Sequence, residues 1–347
     1  MSNIVARHYA SSLDRSIVET LAYFDVFDFP VREEELHRYL HGLRAPVTDL
    51  RNALRSLEAS GEIASQDGFY VLAGREFLID SYETAALQNA RRLHLALRYG
   101  QALARLPFIR LVAVTGSVAM QNGGPGADFD YLLVTQQGRL WLGRALAVAL
   151  GRWTSLHGHT ICPNIILSER NLLWPQQDLY AAHELTQMIP VSGFRIYRHL
   201  RELNHWTRAY LPNADGAPSS STADQPVPSP WQRLVEPALR LGLSAALERF
   251  EMHRKIARFR HQPGFGEETF FSADVCQGNF QHHGGFTRQA FERRLAALGL
   301  ASSGHVAWTQ ALIYSAPTAP PLADSRRPGA PALSAHHQSS APAIANE

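Results

Sequence analysis

The apolar positions of this chain switch period several times, and the switches divide it into parts. Between residues 14 and 60 they recur at helical spacing. Ile17, Leu21 and Phe24 share one face of a helix over 15–24 that Asp14 can cap. Pro30 precedes a second helix over 32–40, with Leu36 and Leu40 inward. Thr48 can cap a third over 49–60, with Leu50, Leu54 and Leu57 inward and Gly61 as its stop. The period then shortens: 62–65 and 69–72 flank a Gln66-Asp67-Gly68 turn and predict a hairpin. Residues 75–106 return to helical spacing. Leu111 to Val114 and Tyr131 to Val134 are short apolar runs of buried-strand type, and a helix over 140–153 separates them from a third, 160–167. Helices follow over 178–189 and 194–210, with Pro190 and Gly193 between them.

Beyond residue 213 the pattern lapses. Residues 213–230 are rich in Pro and Ser and form a linker. A long helix over 231–260 follows, kinked or restarted at Pro237, with Leu234, Leu239, Leu241, Leu247 and Phe250 inward. The cationic run 253–261 ends it, where positive charge suits the helix dipole; contact with the phosphate of a nucleotide or a nucleic acid is the alternative reading. Residues 270–286 have the pattern of a polar loop, and 291–298 that of a short helix. From residue 315 onward Pro, Ala and Ser predict disorder. The expected organisation is therefore 1–75, 76–213, a linker over 214–230, a helical region over 231–314 and a tail over 315–347.

Composition narrows the function classes. At 347 residues and 45% hydrophobic content the chain can bury two or three cores. A net charge of +2 gives no basic field that demands nucleic acid. Cys162 and Cys276 are far apart and give neither a disulfide framework nor zinc spacing, which suits a reducing cytoplasm. Cys276, His282 and His283 likewise lack structural zinc spacing. The first residues lack a signal-peptide apolar core, and no apolar run is long enough for a bilayer. A cytoplasmic location and no membrane partner are expected.

The chemistry concentrates between residues 109 and 135. A strand ends at Gly116-Ser117, a Gly-rich loop spans 122–127, and Asp128-Phe129-Asp130 opens the next strand. Two aspartates at i and i+2 of a strand share a face and repel, unless a cation lies between them. A hard ion such as Mg²⁺ takes oxygen ligands and keeps positions for phosphate.

This arrangement resembles the nucleotidyltransferase superfamily of DNA polymerase β type. The resemblance covers residues 109–167 and implies an α+β fold: a mixed sheet with flanking helices, preceded here by a part that resembles a winged helix and followed by a helical region. It implies that Gly116 and Ser117 hold the phosphates of a nucleoside triphosphate. Asp128 and Asp130 would bind Mg²⁺ or Mn²⁺ as catalytic ligands. The family has a third carboxylate on a later strand, where this sequence has no Asp or Glu over 160–167. Asn164 or Glu169 is the possible third ligand, and an Asn brings no charge and cannot act as a base. His183 and Glu184 are neighbours on a helix and do not form a metal pair, because adjacent residues face different ways.

The expected activity is Mg²⁺-dependent transfer of a nucleoside monophosphate from a triphosphate to a hydroxyl acceptor that the sequence does not name. The alternative is a regulator without catalysis, one that senses nucleotide and binds DNA or a partner on a degenerate fold. Nucleic acid is not the favoured partner. The third helix offers Arg51, Asn52 and Arg55 but also Asp49 and Glu58, and the wing carries Asp67 and no cation.

Overall fold

A computed structural model describes residues 9, 11–124, 126–218, 232, 234–237 and 244–300, which belong to one compact unit. The linker, the tail and Leu239 and Leu241 lie wholly or largely outside the described residues.

The N-terminal part begins with α1 (Ser12–Asp25), whose N-cap is Ser11: its hydroxyl accepts the Asp14 N–H at 3.0 Å. Strand β1 (Val31–Arg32), α2 (Glu33–Arg38) and α3 (Val47–Ala59) follow, then the hairpin β2 (Ile63–Gln66) and β3 (Phe69–Leu72). These strands form an antiparallel sheet in the order β1-β3-β2. Ile17, Leu21, Phe24, Leu36, Leu40, Leu50, Leu54 and Leu57 are all buried, as their spacing predicts.

The long helix α4 (Phe77–Ala104) leads into a six-stranded mixed sheet. Its strands are β4 (Ile109–Thr115), β5 (Phe129–Thr135), β6 (Ile161–Ser168), β7 (Ile189–Ser192), β8 (Thr269–Phe271) and β9 (Val275–Gly278). The order is β7-β4-β5-β6-β9-β8, with β5 and β6 parallel and the other pairs antiparallel. The parallel pair needs a crossover, which α6 (Leu140–Ser155) supplies. The helical turn α5 (Gly116–Ala119) joins β4 to the Gly-rich loop. Then come α7 (Leu179–Gln187), α8 (Phe194–Leu203), α9 (Thr207–Tyr210), α10 (Ser244–Arg260) and α11 (His283–Ala297).

Leu132, Leu133 and Val134 are all fully buried, so the sheet is covered on both faces and its strands read as continuous apolar runs. Phe129, Tyr131 and Leu133 pack with Leu93, Ala96, Trp141 and Phe259 from α4, α6 and α10. The Tyr131 hydroxyl donates to the Ala96 carbonyl at 2.6 Å. Asp130, one residue out of phase, therefore points to the opposite face.

Several expectations are corrected: Ser11 rather than Asp14 caps α1, and α3 starts at Val47 after Pro46 with no Thr48 cap. Residues 270–286 are not a plain loop: β8 and β9 extend the main sheet, and α11 starts at His283 rather than Phe291. Ile189–Ser192 is a strand, not the end of a helix. Leu234, Leu247 and Phe250 are exposed, whereas Glu248 of α10 is buried. Its carboxylate accepts the N–H groups of Trp141 and Leu142 at 2.7 and 2.9 Å, satisfying the first turn of α6. The register of α10 is thus set by this charged cap rather than by its large apolar side chains.

Candidate functional site

The two aspartates enter one cavity of about 520 Å³ together with residues from both ends of the chain. Asp130 sits at the start of β5, opposite Thr115 of β4 and Cys162 of β6. Gly116 follows Thr115 and adopts a left-handed backbone, φ +66°. A Cβ at this position would lie 2.8 Å from Asp130 Oδ2, so glycine both permits the turn and leaves room for the carboxylate. Gly116, Ser117, Asp128 and Asp130, expected to act together, all line the cavity.

Electrostatics follow from this placement. Burial, and then the neighbouring Asp128 charge, push the Asp130 carboxyl up to about 7; the Cys162 thiol hydrogen bond opposes them. Asp128 itself is exposed. Cys162 is pushed up to about 12 by burial and by Asp130, so this thiol is protonated and unreactive.

The two third-ligand candidates separate. The β5–β6 register slips between Tyr131 and Leu132, which pair with Pro163 and Ile165, so Asn164 is the extra residue of a bulge. Its side chain lines the cavity. Glu169 lies beyond the other end of β6: its N–H donates to Thr135 O at 2.9 Å and its carboxylate accepts from Gln137 N at 3.2 Å. Both contacts lie at the end of β5 remote from Asp130, and Glu169 does not line the cavity.

A third carboxylate enters the cavity from α7, where sequence reasoning did not place one, without joining the two aspartates as a metal-binding group. Glu184 lines the cavity; burial and the Asp130 charge push it up to about 7. Its neighbour His183 is buried and also borders the cavity, with Nε2 3.0 Å from His41 Nε2 and its ring stacked on Tyr23 at 4.0 Å. Both residues therefore border the one cavity, which the expectation that neighbours on a helix face different ways did not foresee. The available signal was an acid inside an otherwise apolar helix, Leu179 to Leu185.

The remaining walls come from distant segments. Tyr23, Phe24, Phe27 and Phe29, at the end of α1 and just after it, form an aromatic side. Asn122 of the Gly-rich loop donates to the Phe27 carbonyl at 2.8 Å and ties this wall to the loop. Arg92 of α4 holds the same loop from below, donating to the Ala127 carbonyl and stacking on Phe129. Opposite, Gln262, Asn279, Phe280, Gln281 and His283 arrive from the C-terminal segments. Gly264 permits that approach: with φ +81°, a Cβ there would lie 1.9 Å from the Phe280 carbonyl oxygen.

The lining contains no Lys or Arg among the described residues, against three carboxylates. Oxygen donors suited to a hard cation are grouped at one end: Asp128, Asp130, Ser117 and Asn164. Among the described residues, no group of three His, Cys, Asp or Glu side chains forms a metal site by itself. No described helix is long and apolar enough to cross a membrane.

The fold and site define an α+β protein with a cavity lined by acids and aromatics. Comparison with family models, curated proteins and solved structures finds no match to this chain.

Proposed function

We propose that the chain is a nucleotidyltransferase that uses Mg²⁺ or Mn²⁺, on a fold of the DNA polymerase β type preceded by a winged helix. The observation that carries this reading is the Gly116–Asp130 juxtaposition. A strand ends in a glycine whose missing side chain makes room for the second of two paired carboxylates. A divalent cation fits this cradle, because Asp130 is held up to about 7 by burial and by the uncompensated charge beside it. Mg²⁺ is commonly held by one or two carboxylates plus substrate phosphate, so two acids with Ser117 and Asn164 nearby form a sufficient protein set.

When bound, the metal supplies charge that offsets negative charge building on the phosphoryl oxygens. The chain's own residues do the positioning. Gly116 lets backbone approach phosphate, and Ser117 offers a hydroxyl to it. In the transfer, the acceptor hydroxyl oxygen bonds to the α-phosphorus and the bridging P–O bond to the β-phosphate breaks. Pyrophosphate leaves with that electron pair. The hydroxyl proton goes to solvent on the side where Asp128 is exposed.

A second reading, a nucleotide sensor without turnover, is favoured by one observation: the N-terminal part supplies the aromatic wall of the cavity. Ligand occupancy would then be felt directly by α1. The surface of α3 does not favour DNA as the output, since Arg51 is paired with Glu33 and Arg55 with Asn52.

Titration of Mn²⁺ followed by electron paramagnetic resonance tests the metal site. The expected result is one bound ion that tightens when a triphosphate is added and is lost in Asp128→Asn/Asp130→Asn. Mn²⁺ binding that is unchanged in this variant would overturn the assignment.

A further inference from the structure

Resting on the transferase reading, we propose that the acceptor is a small hydroxylated amine whose ammonium group pairs with Glu184. The argument starts from charge. The cavity is lined by Asp128, Asp130 and Glu184, with no Lys or Arg among its described residues. A divalent ion would answer Asp128 and Asp130, which lie at the Gly116 end. Glu184 reaches the cavity from a separate element, α7, and no hydrogen bond or ion pair engages it among the described residues. It is half-buried and lines the cavity. A carboxylate in that position is costly unless a ligand brings the counter-charge.

The surroundings specify what kind of cation fits. Tyr180 lies one helical turn before Glu184, on the same side of α7, and both line the cavity. Burial, and after it the Glu184 charge, hold the Tyr23 and Tyr180 phenols up, so both lie near this carboxylate. Tyr23 is buried and stacked on His183, so Tyr180 is the ring left to add its attraction for an organic ammonium to that of the carboxylate. A second metal ion would ask for more oxygen donors than this end offers. The amides of Gln262 and Gln281 supply neutral donors and acceptors, the chemistry that hydroxyl groups require, while the Gln187 amide nitrogen is engaged by His183. A phosphorylated or carboxylated acceptor placed at this end would instead meet the like charge of Glu184 and no Lys or Arg among the described lining residues.

The test uses the full chain with Mg²⁺ present and two sugars that differ at one substituent: glucosamine, with a cationic amine, and N-acetylglucosamine, with a larger neutral amide. Calorimetric titration is expected to show glucosamine binding at least about tenfold more tightly, as one well-placed charge pair provides. Glu184→Gln keeps the shape of the side chain and should remove the preference. Hydrogen exchange of α7 in the unmutated chain, read by mass spectrometry, gives an independent measure. Glucosamine should protect the segment around Glu184 and N-acetylglucosamine should not. Equal binding of the two sugars, or equal protection, overturns the inference. The four ribonucleoside triphosphates are titrated in parallel. Nucleotide binding with no preference for the amine overturns the acceptor assignment and leaves the transferase reading intact. Amine preference with no nucleotide binding overturns the transferase reading, and the acceptor role with it.

Discussion

At the scale of single residues, the site depends on one glycine and one displaced proton. Gly116 has a left-handed backbone, and a Cβ there would press on Asp130. Gly116→Ala should therefore cost about 1–3 kcal/mol, combining the left-handed penalty with displacement of the carboxylate. Chemical denaturation reads this loss; an unchanged midpoint would contradict the account. The proton on Asp130 gives a pH dependence with a definite sign. Its folded pKa is raised from 3.8 to about 7, so between those values the folded state binds more protons than the unfolded state. Stability from this group is full below about pH 4 and is lost as pH rises through 7, at about 1.4 kcal/mol per pH across that interval. Glu184, raised from 4.5 to about 7, contributes with the same sign. Asp130→Asn should consequently melt above wild type at pH 8 and show a smaller advantage at pH 5. Mg²⁺ should raise the wild-type melting temperature more at pH 8 than at pH 5. A metal effect that is flat with pH would separate the ion from Asp130.

At the scale of elements, carboxylates hold helix starts where the sequence gives little hint of them. Glu248 caps α6, and Glu268 caps α11 by accepting from Gly284 and Gly285 at 3.1 and 2.7 Å. Glu248→Ala strands two N–H groups on a buried helix end and should cost about 1–3 kcal/mol. A thermal melt shows this as a shift of several degrees, at about 2–4 °C per kcal/mol for a domain of this size. Glu248→Gln retains acceptor capacity and should lose less.

These caps also explain what the sequence concealed. The central strands β4 to β6 were legible because their apolar runs are long and bounded by Gly, Asp and Pro signals. Strands β7 and β8 lie at the two edges of the sheet and are short. Pro190 in β7 resembles a helix break, and an edge strand tolerates it because it lacks a donor. Strand β9 is hidden by the polar Ser272-Ala273-Asp274 turn before it. The exposed Leu247 and Phe250 of α10 satisfied an apolar pattern that the Glu248 cap overrides. Of the site itself, Gly116, Ser117, Asp128 and Asp130 were legible because they are close in sequence. Glu184 and the aromatic wall were not, since only tertiary packing brings α1 and α7 to β5.

At the scale of the molecule, the cavity is closed by segments more than 250 residues apart, from Tyr23 to His283. Asp25 fastens the two ends: its carboxylate pairs with Arg75 at 2.6 Å and with Arg294 of α11. It is 5% exposed, so truncating it would leave two cations without their shared partner. Asp25→Ala should loosen the aromatic wall as well as the fold, weakening ligand binding by more than its effect on the Gly116 region alone. Hydrogen exchange of α1 and α11 checks this: both should exchange faster together, and protection that is unchanged in α11 would contradict it.

The central claim is that Asp128 and Asp130 bind a metal ion and a nucleoside triphosphate together. Calorimetric titration of ATP, CTP, GTP and UTP, with and without Mg²⁺, into the wild-type chain and Asp128→Ala/Asp130→Ala tests it most directly. The account predicts Mg²⁺-dependent binding of at least one triphosphate to the wild type and its loss in the folded variant. Absence of binding by any of the four to the folded wild-type chain would contradict it.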